Sequence, residues 1–387
     1  MHALSLQPHL DAHIFEAAPT FRESGLAIGI AHQAQEALEL IGPSAIQALR
    51  DSGAVPSNGT WFMVGTGPDA GMELDAIDKA EMGRVESITQ RAPFLKALLA
   101  DAPARRMHAN KRLAKIEQAD HSVVLTFDNG SMHECDVLIG AGGIGSFVRK
   151  YVLGEDDPAV KPQLTGWYSI RAMVPYEQAR EVLGPDLIDL DRPREVAWLG
   201  DGTWIMHNIS DGGRLALFVT CIWGPETVQR DTWMREIDVE VETKKFEGWP
   251  RKFQKAWTEF FEKAETRPTA YYMRDHAHAR TQGSGGGMSL EDALILSRLL
   301  SKSSTRDEAA LALEVYNEIR LPRTQGIVDS SKAAGLLMTG RGPEGTDFAE
   351  SKGQIRQRWD HILHFDNKKS VEEAENLLEE RLRKGQA

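Results

Sequence analysis

The fold class that this sequence predicts is α/β, with a helix-and-strand unit and a second, sheet-based unit. Three observations predict it. Helical apolar spacing fills both ends of the chain, a run of short strand-like segments fills the middle, and two glycine-rich stretches each lead into a helix. The 387 residues suffice for two cores on one chain.

The elements follow in order. Asp11 to Glu16 reads as a short strand ending in an acid. Gln35 to Leu49 has apolar residues at helical spacing (Ala37, Leu38, Ile41, Ile46, Leu49), with a break at Gly42-Pro43. Glu86 to Leu99 reads as a helix carrying Arg91 in its first half. Ser122 to Phe127 alternates, Asp128-Asn-Gly130 is a turn signal, and Met132 to Glu134 returns, a hairpin feeding the apolar run Val137-Leu-Ile139, expected to be a buried strand. From Thr165 to Trp223 the strands Trp167–Val174, Glu195–Leu199, Thr203–Asn208 and Leu215–Cys221 alternate with turns, among them Asp211-Gly-Gly213. They predict a separate antiparallel sheet. Helical, charge-rich sequence follows from Asp238 to Lys263. Gln282 to Gly287 leads into a helix over Ser289–Ser301, two more helices fill Asp307 to Leu337, and Val371 to Lys384 forms a helical tail.

Bulk properties narrow the functional classes. A net charge of −12 argues against a nucleic-acid phosphate track. Two cysteines, Cys135 and Cys221, have no ligand-like spacing, so neither a disulfide framework nor a zinc site is expected, and a reducing cytoplasm is the natural compartment. No apolar run approaches the ~20 residues that span a bilayer, and Met1 to Leu10 lacks the basic start and apolar stretch of a secretory signal.

Four constellations carry chemistry, and each has a bland reading beside it. Glu16 at a strand end suits a ribose hydroxyl pair, or is a solvated loop carboxylate. Asp136-Val-Leu-Ile-Gly-Ala-Gly-Gly-Ile-Gly-Ser-Phe-Val-Arg149 brings a backbone free of side chains to a helix start, which suits an anionic ligand or simply a tight turn. Asp275 precedes a glycine run that opens an amphipathic helix (Leu290, Ala293, Leu294, Leu296, Leu300). That arrangement suits a negative or electron-rich group, or serves as a linker. His276 and His278 have strand-like metal spacing, but no carboxylate or cysteine cluster supports a metal. Arg171, among the aromatics of Trp167-Tyr-Ser-Ile-Arg-Ala172, is a cation for a phenolate or carboxylate, or a surface strand arginine.

Taken together and in this order, these segments resemble the group A FAD-dependent monooxygenases, in particular the fungal salicylate hydroxylase-like members. Asp136 to Arg149 is similar to the family's D-x-x-I-G-A-D-G-x-x-S-x-V-R. Asp275 to Ala293 is similar to its G-D-A-A-H…G-x-G-x-x-x-E-D-A. Phe15-Glu16 through Glu23-Ser-Gly-Leu-Ala-Ile28, Arg91, Tyr168 to Pro175, Arg358-Trp-Asp-His361 and Phe365-Asp366 support the match, which covers nearly the whole chain.

The resemblance implies a p-hydroxybenzoate hydroxylase-like FAD-binding domain drawn from residues 1–160 and 266–340, with an incomplete Rossmann-type unit. It also implies an antiparallel-sheet substrate domain over 161–265 and a helical tail over 341–387. It implies FAD as cofactor, NADPH or NADH as co-substrate, and an aromatic or polyketide-like phenol as the substrate that takes one oxygen atom from O2. By position, Glu16 would bind the adenosine ribose, and Gly25, Ala27 and Gly29 would lie close to the cofactor. Arg91 would reach its phosphates or ribityl chain, Asp275 its ribityl or pyrophosphate region, and Gly285 and Gly286 would bring amides to the isoalloxazine ring. Arg171 matches a catalytic-pocket arginine that some members use on phenols. The chain departs from the pattern in four places. The family's opening strand and G-x-G-x-x-G loop, roughly 20–30 residues by the usual size of a β-α-β unit, do not precede Asp11, which predicts unpaired strand edges. Gly142 and Arg274 stand where the family has Asp and Gly, and a proline pair expected between Thr281 and Gln282 is absent. A second reading is a family member without tight FAD that works as a non-redox enzyme or phenolic-ligand binding protein.

Overall fold

Gly42 and Pro43 part the first helical stretch as expected. In the computed structural model, which describes residues 1–21, 27–78, 86–224, 232–261, 268–275 and 285–385, a short helix α1 (His2–Ser5) precedes the strand β1 (Ile14–Phe15). The strand β2 (Ala27–Ile30) leads into α2 (His32–Ile41), and Pro43 starts α3 (Pro43–Asp51), a position where its missing N–H costs nothing. Their apolar faces share one core of Ile30, Ala34, Leu38, Ala45 and Leu49.

Next come β3 (Val55–Ser57), β4 (Gly59–Val64), β5 (Glu73–Asp78) and β6 (Glu86–Gln90), then α4 (Arg91–Leu98). The first half of the helix expected over Glu86–Leu99 is thus a strand. Backbone pairing to two neighbours outweighs local propensity, since β6 lies antiparallel between β2 and β3. The strand β7 (Met107–His108) pairs parallel with β1. The strands β8 (Leu113–Gln118), β9 (Val123–Phe127) and β10 (Met132–Cys135) form an antiparallel sheet, with the predicted Asp128–Gly130 turn at its second hairpin.

Val137-Leu-Ile139 is not a strand. The segment is irregular, Ile139 is 41% exposed, and no described strand lies beside it. A strand without a neighbour leaves its backbone groups to water, and nothing else fixes an extended ladder here. Val137 and Leu138 turn inward against two different apolar clusters. The glycine cluster that follows is exposed, and Ser146 caps α5 (Phe147–Leu153), its Oγ accepting the Arg149 amide.

The middle strands are β11 (Gln163–Pro175), β12 (Glu195–Gly200), β13 (Thr203–Ser210) and β14 (Leu215–Trp223), with α6 (Tyr176–Leu183) between the first two. They are antiparallel to one another as predicted, but they are not a sheet of their own. β12 runs parallel to β4, and β11 takes on β16 (Thr269–Asp275). The result is an eight-stranded sheet in the order β15-β16-β11-β14-β13-β12-β4-β5, where β15 is Met234–Glu236. One face packs on α6 and on α8 (Arg251–Phe261), which follows α7 (Val239–Thr243). Trp198, Ile205, Phe218 and Ile222 of the strands meet Phe253, Trp257, Phe260 and Phe261 there.

The helices α9 (Gly285–Ser301), α10 (Arg306–Met338), α11 (Gln354–Leu363) and α12 (Asn367–Gly385) complete the chain. One helix of 33 residues replaces the two expected over Asp307–Leu337. A capping box fixes its start, with Thr305 Oγ1 accepting the Glu308 amide and Glu308 Oε2 accepting the Thr305 amide. Pro322 deletes one backbone bond but does not end it, because Arg320 and Arg323 on either side are held by the buried Glu291 and the partly exposed Asp292 of α9. No helix among the described residues is long and apolar enough to cross a membrane.

Candidate active site

Strand alternation sorts the eight-stranded sheet into two faces. The face away from α8 carries Leu217, Val219 and Cys221 of β14, with Met173, Trp204, Met206 and Met273 around them and Ala27 of β2 laid against them. Arg171 belongs to this face, directly opposite Val219. Its Nε donates to Ser169 Oγ at 3.1 Å, and its guanidinium stands 5.6 Å from the centre of the Tyr271 ring. The residue is exposed, so its charge is available to a ligand lying on an apolar floor. Cys221, in that floor, is no nucleophile. Burial pushes its thiol up to about 12, against the weaker downward pull of Arg171.

A second group assembles beside this floor. Ala27 pairs with Gln90, so Arg91, the exposed first residue of α4, follows directly on the residue opposite Ala27. Gly29 sits against Ile88; a side chain added to it would meet Ile88 Cδ1 at 3.6 Å. The N-terminus of α9 is laid against the same elements. A Cβ on Gly286 would lie 3.8 Å from Ile28, and one on Gly287 3.5 Å from Ala34. The structure therefore lays β2, with Ala27 and Gly29, against the helix start at Gly285 and Gly286, whose first amides have no intrahelical acceptors, and puts Arg91 next to the residue paired with Ala27. Gln33, 2% exposed at the start of α2, keeps a buried Oε1 without a hydrogen-bond partner. Asp275, 5% exposed, closes β16 opposite Gln163. Gly25, His276 and His278 lie outside the described residues, and among the described residues no group of His, Cys, Asp or Glu could hold a metal ion.

Glu16 is placed on the β1–β7 pair instead. Its amide donates to the His108 carbonyl at 2.8 Å, and its Oε1 accepts the Ala18 amide at 2.8 Å. Sequence reading missed what surrounds it. His13 Nδ1 and His108 Nε2 are 2.9 Å apart, the two rings are stacked at 5.2 Å, and His133 stands 5.2 Å from His13. Asp11 braces the stack from His13 and Arg106. Burial first, and then charge on His13, hold His108 and His133 below the ordinary histidine range. The three histidines come from three separate segments of the chain, so no local spacing announces them.

Two further groups join residues that no local spacing links, although Glu291 and Asp292 are the acids of the E-D-A motif. In the first, Glu291 of α9, 1% exposed, accepts from Arg320 Nη2 at 2.9 Å and from Arg323 Nη2 at 3.0 Å, while Asp292 takes Arg320 Nε at 2.8 Å. Arg323 also donates to the His361 carbonyl, and its guanidinium is 3.9 Å from the Phe365 ring centre. This network fixes the helix whose first turn holds Gly285 and Gly286. In the second, Glu86, Glu195 and Asn208 meet where β6 lies against β13.

No family model matches the chain. Individual proteins do. The chain is 32% identical over 348 residues to 6-methylsalicylate 1-monooxygenase atA of Aspergillus terreus, covering 84% of this chain and 77% of that protein. It is 29% identical over 401 residues to a salicylate hydroxylase of Pseudomonas putida, covering 96% and 90% of the two. A salicylate hydroxylase substrate complex has the same fold with a TM-score of 0.80 at 22% identity, over 96% of this chain and 94% of that one. HpxO of Klebsiella pneumoniae, complexed with FAD and uric acid, is similar with a TM-score of 0.74 at 19% identity, over 94% of this chain and 92% of that one.

Proposed function

Because the chain belongs to the FAD-dependent monooxygenases related to salicylate hydroxylase, we propose that it hydroxylates a phenolic aromatic ring on the Arg171 face, with FAD as cofactor, O2, and NADPH or NADH as co-substrate. The observation that carries this reading is the convergence of an exposed cation on an apolar sheet face with a glycine-started helix and the strand β2.

The residues fit the cofactor. Gly285 and Gly286 have no side chain to hold a flat ring away from the first amides of α9, and Gln33 Oε1 is a buried acceptor in need of a donor. Gly285 and Gly286 would hold the ring edge, and Gly25, Ala27 and Gly29 would lie close to the cofactor. Arg91 and Asp275 would take the phosphate and ribityl region, and Glu16 the adenosine ribose. Bound FAD supplies the redox chemistry, accepting a hydride from the nicotinamide and activating O2.

The protein's own part is positioning and electrostatics. Arg171 favours the ionised phenol, which enriches the ring in electrons at the carbon to be hydroxylated. Leu217, Val219 and Cys221 form a dry floor that strengthens this charge interaction. A polyketide-derived phenol is the substrate class put forward. The second reading, a phenol-binding protein without flavin, has no observation in its favour.

The test is direct. The purified chain with added FAD is expected to gain the flavin absorbance near about 450 nm, and to oxidise NADPH or NADH faster when salicylate or a related phenol is added. Protein that remains colourless in excess FAD, or oxidation indifferent to every phenol, refutes the proposal.

A further inference from the structure

Across the Arg171 face, the β-ladder register lines up a second set of polar groups. Asn208 of β13 is opposite Leu217, and Leu217 is opposite Met173, two residues along β11 from Arg171. Opposed residues share a face, so Arg171 and Asn208 point to the same side, with Leu217, Val219 and Met206 between them. One strand separates their strands, which puts the two backbones about 10 Å apart. That is the span of one substituted aromatic ring with its polar groups.

The far end of this span is built and incompletely satisfied. Asn208 Nδ2 donates to Glu195 Oε2 at 3.1 Å, but Asn208 Oδ1 is buried without a partner, and so is Ser210 Oγ two residues on. Asn208 is 2% exposed and Ser210 fully buried. A buried acceptor and a buried hydroxyl left open are costly in a finished core and ordinary in a ligand pocket. Glu86 of β6 faces Glu195 at the same place. Neither carboxylate has an ion-pair partner among the described residues. Burial, and then the charge of Glu195, pushes Glu86 up to about 7, and burial pushes Glu195 up while the Asn208 hydrogen bond restrains it. Two acids placed this close titrate as a pair, and the first charge opposes the second. A carboxyl–carboxylate pair offers one donor and one acceptor, which matches a hydroxyl group and repels an anion.

Building on the aromatic-hydroxylase reading, we propose that Glu86, Glu195 and Asn208 form a second polar pole of the substrate chamber. This pole takes an uncharged hydroxyl of the substrate, at the end opposite the group held by Arg171. The chamber is thus polarised. Phenolate or carboxylate is held at β11, a neutral hydroxyl at β12 and β13, and a substrate with anions at both ends is excluded.

Three probes that differ at one ring position test this on the full chain with FAD, by calorimetric titration without nicotinamide. They are 2-hydroxybenzoate, 2,4-dihydroxybenzoate and 2-hydroxyterephthalate, with hydrogen, hydroxyl and carboxylate at the same carbon. The dihydroxy probe is expected to bind about tenfold tighter than 2-hydroxybenzoate, the worth of one well-made hydrogen bond to an acid, and the terephthalate weakest of the three. Asn208→Ala should remove the hydroxyl preference. The Glu86→Gln, Glu195→Gln double variant, which keeps shape and removes charge, should lift the penalty on the second carboxylate by about tenfold. Thermal melting by circular dichroism confirms that each variant is folded. Equal affinities for the hydrogen and hydroxyl probes, absence of binding by either, or a carboxylate penalty unchanged in the double variant would overturn the proposal. Because the readout is relative affinity, it fails independently of flavin reduction and turnover, on which the reading above rests.

Discussion

Glu291 is the keystone of the helix that begins at Gly285, and its removal has a calculable cost. In Glu291→Leu, the side chains of Arg320 and Arg323 lose their shared carboxylate while remaining buried, at 3% and 9% side-chain exposure. Breaking a buried pair in this way costs about 3–5 kcal/mol, because a charge is left uncompensated. Asp292 keeps one bond to Arg320, and backbone carbonyls keep Arg323, which sets the expectation at the lower end, about 3 kcal/mol. At about 2.1 cal/mol/K per residue, the unfolding entropy of 387 residues is about 0.8 kcal/mol/K, so the midpoint falls by about 4 °C. Thermal melting followed by circular dichroism measures this, and titration with FAD measures the second effect. The first turn of α9 loses its anchor, so FAD affinity falls with stability. The double variant Glu291→Leu, Arg320→Leu should recover part of the loss, since it removes an orphaned charge along with its partner. A single variant that melts within about 1 °C of the parent, or a double variant that loses the full sum of the two singles, would refute the argument from uncompensated charge.

Other outcomes follow from the same geometry. His108 and His133 are held below their unfolded value, so their contribution to stability is fully present above about pH 6.5 and is lost as pH falls through the lowered values. Urea unfolding at about pH 8 and about pH 5.5, on either side of that value, should show this, and His133→Gln should flatten the difference. Arg171→Met should weaken phenolate binding by about 10- to 100-fold, with Arg171→Lys recovering only part because the planar donor fork is lost; ligand titration as a function of pH checks both. Cys221, 3% exposed with its thiol pushed up to about 12, should resist a disulfide-exchange reagent at about pH 8 in the folded chain and react on unfolding. Gly166 has φ +84° and a Cβ there would meet the Trp223 ring at 2.8 Å, so Gly166→Ala should lower the melting midpoint, and an unchanged midpoint would show that the strand gives way.

Much of this architecture was readable in the residues. Alternation in Trp167–Val174 and Leu215–Cys221 identified strands that the structure keeps, and the Gly42-Pro43 break fell where two helices part. What could not be read depends on neighbours distant in sequence. Glu86–Gln90 carries helix-compatible residues, and its extended form is imposed by ladders to β2 and β3. Val137-Leu-Ile139 has the composition of a buried strand but no described strand beside it. Pro322 reads as a helix end, yet tertiary ion pairs carry the helix through it. Arg171 could be singled out because aromatic residues surround it in sequence. Glu195 and Asn208 could not, because what marks them is a missing hydrogen bond and an acid from a third strand.

The eight-stranded sheet also governs how the chain must come together in time. Its central ladder β11-β14-β13-β12 is local, but its two flanks are not, since β12 pairs Glu195 with Thr60 and β11 pairs Ser169 with Tyr271. Each flank closes a loop of about a hundred residues or more, and such closures slow folding because chain entropy is lost before the contacts form. During synthesis the middle strands emerge before β16, and until it arrives β11 presents an open edge with a long apolar ladder behind it. An excised segment over 161–265 would keep both edges permanently bare and invite pairing between chains. The sheet that seats Arg171 is therefore closed only once β16, the strand that ends in Asp275, has been made, while the helices that follow are still to come.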